Sequence, residues 1–526
     1  MHEIITLQLG QQANYLATHF WNTQESYFTY SDSADSSPPI NHDILWRPGL
    51  AADGTTETFM PRTVIYDLKN GFGSLRAINA LYEAPNPDNA QPTALWPGTA
   101  TVHTAPRVEP SEYTQSLDAG LTPPKLTSAG VRYWSDFSRV YYHPRSIVQL
   151  HEYELGSTIA PFERFAAGEE LFAELDREHD VLDRDLRLFA EEADQMQGIQ
   201  VFGGMDDAWA GFMGRYLERV RDEFGKKSVW VWGVEGEGKG LPRHKRLLRL
   251  ANKARALTEA YKQASIVVPL ALPRSLPSTL SLDPNSPWHA SALLASAIET
   301  ATLPSRLKDR TNYDSLADMA ATLNTMGKQT IAGLQMSFSS PAHESSSTDT
   351  RRNNKLTEDE MTEGVTLDIK FTPSDQLDPT YSRRNEFSNK TSKVFSQLIV
   401  LRGYPPAELD AEGDTEMDHE ERALRRRRNP SEPITRSYTS DLRFPILDSF
   451  PQIFRQESGE ALAENINITG GLSTNSSTSD RLKQLRTTVT RSIGLEDRET
   501  IGNDLAEMAD EYHEGWSSGS DEGDDD

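Results

Sequence analysis

The sequence predicts an α/β fold in which helices flank a parallel sheet, followed by a smaller α+β C-terminal region with disordered insertions. Residues 3–9 form an apolar, β-rich run, and Gly10 separates them from a helical pattern. Residues 198–232 give a strand, a Gly203-Gly204 turn, a helix and a second strand. Because a strand, helix, strand order favours parallel pairing, both stretches indicate one parallel sheet.

The other elements follow in chain order. A strand is predicted over residues 63–68, and the proline-rich residues 85–124 predict long loops with short elements at most. From Pro161 onward apolar residues recur at spacings of three and four, which is typical of amphipathic helices. The remaining predicted elements are a basic amphipathic helix at 243–264, an apolar strand at 266–270, a helix at 289–301 and a strand at 330–338.

Changes in composition predict the domain organisation. Eight acidic residues lie between Glu408 and Glu421, and a run of arginines follows them. Such charge blocks favour solvated disorder over packing. The predicted segments are 1–115 and 116–340 for the sheet domain, 341–364 as a polar disordered insertion, 365–505 as the C-terminal region with a charged disordered loop at 405–440, and 506–526 as an acidic disordered tail.

The charge and the absence of cysteine exclude several classes of protein. A formal charge of -26 opposes general binding to nucleic acid phosphates, so we expect no direct nucleic acid contact. Because the sequence contains no cysteine, it has no disulfide, no thiolate zinc site and no thiol nucleophile, and this suits a reducing compartment. No basic leader and no apolar run of about 20 residues is visible, so we expect a chain without a transmembrane segment.

Three ordered segments resemble tubulins. The opening, MHEIITLQLGQQANYLATHFW, is similar to their first strand, phosphate loop and first helix. The segment PRTVIYDL fits the strand that leads into their next nucleotide loop. A third segment, EEADQMQGIQVFGGMDDAWAGFMGRYLERVRDEF, resembles the region that carries their glycine-rich signature. The resemblance implies a fold like that of tubulin and FtsZ.

A closer resemblance is to the Misato family. It rests on the tubulin-like opening, the YWSDF segment at 133–137, the nearby HPRS segment at 143–146 and the altered glycine loop. The resemblance covers residues 1–340 well and the remainder poorly. In fungi this family is the mitochondrial inheritance group, so the resemblance implies a role in partitioning mitochondria and mitochondrial DNA. It does not imply ordinary filament formation.

The tubulin resemblance also implies a vestigial nucleotide site. Such a site holds phosphates with backbone amides at helix N-termini, and it needs glycine where the chain approaches the anion. Where tubulins carry Gly-Gly-Gly-Thr-Gly-Ser-Gly, this chain reads GGMDDAWAG from residue 203 onward. The residues retained as nucleotide-binding candidates are Gly10, Gln11, Gln12, Asn14, Asp67, Gly203 and Gly204.

The altered loop predicts that hydrolysis is lost. Asp206 and Asp207 would repel a triphosphate, although they could instead hold a hydrated Mg²⁺ or cap the following helix. Lys69-Asn70 stands where an acid is expected after Asp67, and Ala317 falls at the position of a catalytic acid beyond Asn312-Tyr313-Asp314. We therefore expect no catalytic residue, no metal, no required cofactor and no efficient GTP hydrolysis, while weak GTP binding stays open.

Two other segments have functional alternatives. Residues 233–239 have P-loop spacing, but Gly240 replaces the Ser or Thr that holds Mg²⁺, so a flexible surface loop is favoured. The basic helix that begins at Arg243 is either a solvated face or a contact for anionic lipid or an acidic partner. Peripheral membrane contact therefore stays open.

The altered loop favours a tubulin-related, non-enzymatic factor, and the resemblance to the Misato family implies a role for it in mitochondrial inheritance. The expected location is the cytosolic face of the mitochondrion and the cytoplasm, with protein partners there or on the cytoskeleton. Two alternatives remain. One is a divergent GTP-binding switch or polymerising GTPase, supported by the retained glycine turn. The other is a tubulin-folding or microtubule-associated helper, with tubulin or the cytosolic chaperonin as partner.

Overall fold

The computed structural model confirms the predicted α/β class. It describes residues 2–29, 39–50, 57–75, 108–238, 240–273, 275–339, 367–373, 392–404, 433–456, 458–462, 465–491 and 495–513. The strands in chain order are β1 (Ile4–Leu9), β2 (Trp46–Leu50), β3 (Glu57–Pro61), β4 (Thr63–Lys69), β5 (Ile147–Glu154), β6 (Gly198–Gly204), β7 (Ser228–Val234), β8 (Ile266–Leu270), β9 (Gly333–Ser339), β10 (Ile369–Lys370), β11 (Val394–Arg402), β12 (Ile434–Ser440) and β13 (Asn467–Asn475).

The helices flank these strands. In chain order they are α1 (Gln11–Glu25), α2 (Glu112–Asp118), α3 (Phe165–His179), α4 (Arg187–Glu191), α5 (Trp209–Glu223), α6 (Arg243–Gln263), α7 (Pro287–Ala301), α8 (Leu316–Leu323), α9 (Ser477–Thr490) and α10 (Leu495–Asp510). Single turns of 3₁₀ helix lie at His42–Ile44, Trp134–Phe137, Pro144–Ser146 and Leu303–Arg306, and a π-helical turn lies at Leu182–Leu186.

The larger sheet has six parallel strands in the order β5-β4-β1-β6-β7-β8. Successive side chains on a strand point to opposite faces, and β1 is buried on both. Ile5, Leu7 and Leu9 pack in the layer that contains α3, α5, α6, α9 and α10, whereas Ile4 packs in the layer that contains α1 and α7. Helices therefore cover both faces, as parallel sheets require.

The predicted segments 1–115 and 116–340 build this one sheet together. Strands β1 and β4 come from the first segment, and β5 to β8 come from the second. In contrast, β9 lies before residue 340 but belongs to the second sheet, whose order is β10-β9-β13-β11-β12. The boundary at 340 is corrected, because Leu334 and Met336 of β9 are buried against the partner strand β13.

Two predictions of disorder are also corrected. Residues 434–440, at the end of the predicted charged loop 405–440, form the edge strand β12, which pairs in parallel with β11. Residues 506–510 of the predicted acidic tail 506–526 end helix α10, where Leu505, Met508 and Tyr512 are buried. In both places apolar contacts with distant elements outweigh local charge. The predicted insertion 341–364 and the remainders 405–432 and 514–526 lie outside the described residues.

A buried charge cluster joins the two sheets. Glu299 of α7 accepts hydrogen bonds from Arg306 (Nη2 to Oε1, 3.1 Å) and from Arg402 at the end of β11, and all three side chains are buried. Gln24 and the Tyr27 hydroxyl each donate to Glu299 Oε1 at 3.1 Å. The cluster therefore links α1 and α7 of the first sheet layer with the second sheet. Among the described residues, every helix is too short or too polar to cross a membrane.

Candidate functional site

The candidate site lies at the carboxyl ends of β1 and β6. From β1 the strand order runs to β4 and β5 on one side and then continues from β6 on the other. In open parallel sheets, ligands bind outside such a switch point. Gly10 directly follows β1 with φ of 90°, a conformation that favours glycine, and its carbonyl accepts a hydrogen bond from the Asn14 amide at 2.9 Å. The predicted strand, glycine and helix are thus present.

A tryptophan ring covers this turn. Trp209 is the first residue of α5, and a methyl group built on Gly10 would lie 2.4 Å from its Nε1 atom. The ring is buried and packs against Phe162 and Phe212, with centroids 5.3 and 5.6 Å away. A phosphate held by amides at the starts of α1 and α5 would need the space beside Gly10. An apolar ring occupies that space instead.

The space beside the other two candidate glycines is also occupied by side chains of the same chain. Gly203 and Gly204 are the last residues of β6, so the predicted Gly203-Gly204 turn is corrected to strand. A methyl group on Gly203 would lie 2.7 Å from the sulfur of Met213, and one on Gly204 would lie 2.8 Å from a carboxylate oxygen of Asp207. These glycines accommodate nearby side chains of the same chain.

Asp67 lies in the interior rather than in an open site. Its Oδ2 atom accepts hydrogen bonds from Asn14 Nδ2 at 2.9 Å and Trp134 Nε1 at 3.1 Å, and its Oδ1 atom accepts from the Leu68 amide at 2.9 Å. Burial raises the pKa of Asp67 to about 6, although these hydrogen bonds oppose the shift. The candidate residues Asn14 and Asp67 are therefore bonded directly to each other in the interior.

Asn14 keeps one unused acceptor. Within the part of the chain that the structure describes, its Oδ1 atom is buried and accepts no hydrogen bond. Its Nδ2 group is fully used by Asp67 Oδ2 and by the Tyr66 carbonyl at 3.2 Å. A buried carbonyl oxygen has a preference for a donor, not for a phosphate or a metal-bound carboxylate. The orphaned atom therefore gives no support for an anion at this position.

The two acidic residues of the altered loop have different roles. Ala208 is the N-cap of α5, and Asp207, one residue earlier, accepts a hydrogen bond at Oδ1 from the Trp209 amide at 3.0 Å, so of the two acids only Asp207 bonds to the first turn of the helix. Asp206 Oδ2 accepts from the Gly236 amide at 3.1 Å and lies 3.5 Å from Arg249 Nη1. Burial raises the pKa of both carboxyls. Asp206 therefore ties the loop after β7 and helix α6 to the end of β6.

The described residues contain no group of three or more His, Asp or Glu side chains that could hold a metal ion. The Mg²⁺ alternative would rely on the two carboxylates of Asp206 and Asp207. Each of them already accepts a hydrogen bond from a backbone amide. Mg²⁺ is usually held by one or two carboxylates together with substrate phosphates, and the phosphate position beside Gly10 is covered by the Trp209 ring. These residues do not fit that ion.

The loop with P-loop spacing is bound to its own surroundings. Glu235 forms a buried ion pair with Lys253 of α6 at 2.7 Å, and Arg249 Nη1 donates to the Glu237 carbonyl at 2.9 Å. Gly233 faces Met205, whose sulfur would lie 1.9 Å from a methyl group there. Lys239 lies outside the described residues. The segment 233–238 packs against α6 and does not form an open phosphate cradle.

The remaining candidates, Gln11 and Gln12, begin α1 and stay half-buried. Gln12 lines a cavity of about 850 Å³ that opens between α1, the loop after β7, the start of α6 and the segment from Ala271 to Ser291. At its inner end, Gln12 Nε2 and Arg249 Nη1 converge on Gly236, within 2.9 and 3.1 Å of a methyl group built there. Gln12 is thus the candidate residue that faces open space.

The Asn312-Tyr313-Asp314 segment is held by the second sheet. Asp314 accepts from the Tyr438 hydroxyl at 2.5 Å and from Arg436 Nη2 at 2.7 Å, both on β12. Asn312 Oδ1 accepts from the Thr439 amide at 2.8 Å. Asp318 forms a capping box with Ser315 at the start of α8. These acids face β12 or their own backbone.

Sequence reasoning missed two partners of the site. Trp134 belongs to the YWSDF segment that carries the family resemblance. Its hydrogen bond to Asp67 joins residues 67 positions apart, and no local sequence pattern predicts that contact. Arg249 was one of several basic residues on a helix, and its position opposite Asp206 depends on how α6 returns over the sheet. Both contacts follow from tertiary packing.

Comparison with known proteins agrees with this geometry. Residues 123–307 match the model of a tubulin domain, and residues 2–119 match the model of the Misato Segment II tubulin-like domain. The chain is 58% identical to Protein dml-1 of Neurospora crassa and 49% identical to Protein DML1 of Gibberella zeae, each over the whole length of both chains. The chain belongs to the Misato family. Protein misato homolog 1 of Bos taurus is 31% identical over 64% of this chain and 65% of its own length.

Membership of the Misato family is shared across the whole chain with the fungal proteins. The tubulin-related fold is therefore established for this Misato chain by both the model matches and the six-stranded parallel sheet. The names of these Misato relatives carry no enzyme designation.

Proposed function

We propose that this chain is a non-enzymatic, tubulin-related factor that acts in the partitioning of mitochondria and the inheritance of mitochondrial DNA. In this proposal the former nucleotide domain is a rigid scaffold, and its surfaces bind protein partners at the cytosolic face of the mitochondrion or on the cytoskeleton. The mitochondrial role is supported by the family resemblance. The non-enzymatic role is supported by one observation, the Trp209 ring that covers Gly10.

Three further contacts support the loss of hydrolysis. Asp67 is enclosed by Asn14 and Trp134, and Asp314 is held by β12. A GTPase of this type needs acidic and polar groups that reach Mg²⁺ or the attacking water. In this chain those groups are bonded to neighbouring side chains of the same molecule. In this proposal the chain therefore functions through a surface that binds partners in the cytosol, and it has no reaction centre.

Calorimetry tests the nucleotide part of the proposal. Folded, purified protein titrated with GTP and Mg²⁺ should give no binding heat at millimolar nucleotide and no phosphate release. Micromolar binding, or turnover above the uncatalysed rate, would favour the GTPase alternative instead. Protein unfolding should be followed in parallel by circular dichroism, so that a negative result is read only from folded material.

A cell experiment tests the mitochondrial part. Neurospora crassa with its dml-1 gene placed under a repressible promoter would express this chain or its Gln11→Glu variant, which places a carboxylate at the start of α1 where a phosphate would bind. Both should support the same mitochondrial distribution and the same mitochondrial DNA content. The matched control is Gln115→Glu on α2, an exposed glutamine remote from β1.

The outcomes separate the two parts of the proposal. Failure of Gln11→Glu alone, with Gln115→Glu active, would show that a nucleotide is needed and would overturn the non-enzymatic role. Normal mitochondria in cells that lack the endogenous dml-1 protein and express neither form of this chain would overturn the mitochondrial role. Cosedimentation with tubulin in the same extracts would instead favour the folding or microtubule-associated alternative.

A further inference from the structure

The cavity beside Gln12 is a feature that the proposed scaffold role does not use. Its volume of about 850 Å³ falls within the range of small-molecule sites, and it lies at the carboxyl ends of four parallel strands. Side chains from α1, α6 and α7 form part of its wall, together with the loop after β7 and the segment before α7. Cavities of this size at a switch point are the usual location for a ligand.

Much of the wall is apolar. Leucine, proline and alanine side chains dominate the side formed by the segment before α7 and by α7 itself. They include Leu250, Leu272, Pro273, Leu276, Leu282, Ala290 and Leu294. Leu272, Leu276 and Leu282 are only half-buried, so they retain apolar surface that a ligand would cover. Burial of such surface favours a complex.

The charged lining opposes an anion. Asp206, Glu235 and Glu237 contribute three carboxylates, against the guanidinium groups of Arg246 and Arg249. Arg249 lies 3.5 Å from Asp206, and Glu235 pairs with the buried Lys253. A triphosphate would bring several negative charges to a wall with three carboxylates, where Arg249 is already bonded to the Glu237 carbonyl as well as lying near Asp206. The phosphate end beside Gly10 is covered by Trp209 as well.

The inner end supplies polar groups for a neutral ligand. Gln12 Nε2 and the Arg249 guanidinium converge beside Gly236, where the absence of a side chain leaves room for them. The Gln12 amide has both a donor and an acceptor, and Arg249 adds a donor. One carbonyl or hydroxyl group of a ligand would be bound at this end while its body lies against the leucines.

We propose that this cavity binds an uncharged, largely apolar small molecule that carries one hydrogen-bonding group, placed at Gln12 and Arg249. Charge complementarity selects against nucleotides, and the apolar wall selects for a ring system or a short hydrocarbon body. The ligand would stabilise the arrangement of α1, α6 and α7 against one another. This site is independent of any GTP hydrolysis and of the mitochondrial role.

Fluorescence of a neutral, environment-sensitive dye tests the proposal. The full chain is titrated with Nile red, which carries a ring system and a carbonyl group. Expected are saturable binding with blue-shifted emission and no displacement by 1 mM GTP with Mg²⁺. The Ala290→Trp variant, which fills the cavity from the half-buried face of α7, should bind the dye at least tenfold more weakly.

The matched control is Ala190→Trp, at a half-buried alanine of α4 that does not line the cavity, and it should bind the dye like the unchanged protein. If Ala290→Trp does not fold by circular dichroism, Leu276→Glu at the half-buried wall replaces it, with the same expected loss. Equal dye binding in the cavity variants and the control would overturn the proposal. Displacement of the dye by GTP would overturn it too.

Discussion

Asp67 shows how a residue that resembles a nucleotide ligand has become part of the interior. Its carboxylate is enclosed by Asn14, Trp134 and the Leu68 amide. Even Gly71 is confined by it, because a methyl group there would lie 2.4 Å from the carboxylate. A carboxylate that is fully bonded inside the protein contributes to stability in a pH-dependent way, whatever its ancestral role.

The pH dependence has a definite sign. The pKa of Asp67 is raised by burial from 3.8 to about 6 in the folded chain, so the folded state binds the proton more tightly than the unfolded state. The contribution of this group to stability is full below about pH 4 and is lost as pH rises through about 6. Relative to Asp67→Asn, the free energy of unfolding should fall by about 3 kcal/mol over this window.

Urea denaturation of both proteins between pH 4 and 7 measures this difference. Other titrating groups are common to the two proteins and cancel. Exposed Asp222 provides the control, because Asp222→Asn removes a carboxylate without removing buried contacts. A difference between Asp67→Asn and the unchanged protein that is flat over the whole pH range would contradict the buried position of this carboxyl.

At the scale of elements, the loop before α8 is attached to the edge strand β12. Tyr438 and Arg436 on β12 both bind Asp314, and the backbone of Thr439 binds Asn312. The edge of a sheet is a place where another chain could pair. Here part of that edge is already used by a loop of the same chain, so self-association through this loop is opposed.

Tyr438→Phe tests this attachment. Loss of the hydroxyl removes a hydrogen bond to a carboxylate, so the free energy of unfolding should fall by about 1.5–3 kcal/mol. Amide hydrogen exchange at residues 312–315 should become faster in the same variant. Tyr141→Phe is the control, since Tyr141 is exposed and its bond to Asp118 is long at 3.4 Å. Unchanged exchange in Tyr438→Phe would show that β12 does not hold the loop.

The elements that could be predicted from sequence are those with local signals. Strand β1, Gly10 and helix α1 follow from an apolar run, a glycine and a helical period, and β6, α5 and β7 follow in the same way. Strand β12 was missed, because its partner β11 is separated from it by a charged segment. The end of helix α10 was predicted as part of the acidic tail 506–526. Its apolar side chains are buried by contacts with distant helices, and local charge gives no sign of these contacts.

The site was predicted in part as well. Gly10 and the altered loop that contains Trp209 were recognised from residue types. That the ring would lie over Gly10 depends on how β1 and β6 are brought side by side. The cavity beside Gln12 had no sequence signal, because its walls come from four separate parts of the chain.

At the scale of the whole molecule, two sheets are joined through Glu299. Burial acts to raise the pKa of Glu299, but the charges of Arg402 and Arg306 outweigh it. The pKa of this carboxyl is therefore lowered. Arg402 also lies over the rings of Tyr27 and Phe444, at 5.5 and 5.3 Å from their centroids. One carboxylate thus holds two cations from different parts of the chain.

Glu299→Gln should therefore be strongly destabilising. It leaves Arg306 and Arg402 buried beside each other without a carboxylate, and breaking a buried ion pair in this way typically costs about 3–5 kcal/mol. Urea denaturation followed by fluorescence measures the loss. Glu174→Gln, at an exposed position on α3, is the control. A loss below about 1 kcal/mol would show that the cluster does not join the two sheets.

The last described residues have a consequence for how the chain is made. Tyr512 accepts a hydrogen bond from the Ile331 amide at 2.6 Å, across 181 residues, and α9 and α10 cover part of the layer over α6. Until those helices leave the ribosome, apolar surface of the first sheet layer has no cover. The nascent chain must therefore be shielded late in synthesis, at the stage when its N-terminal sheet has already been translated.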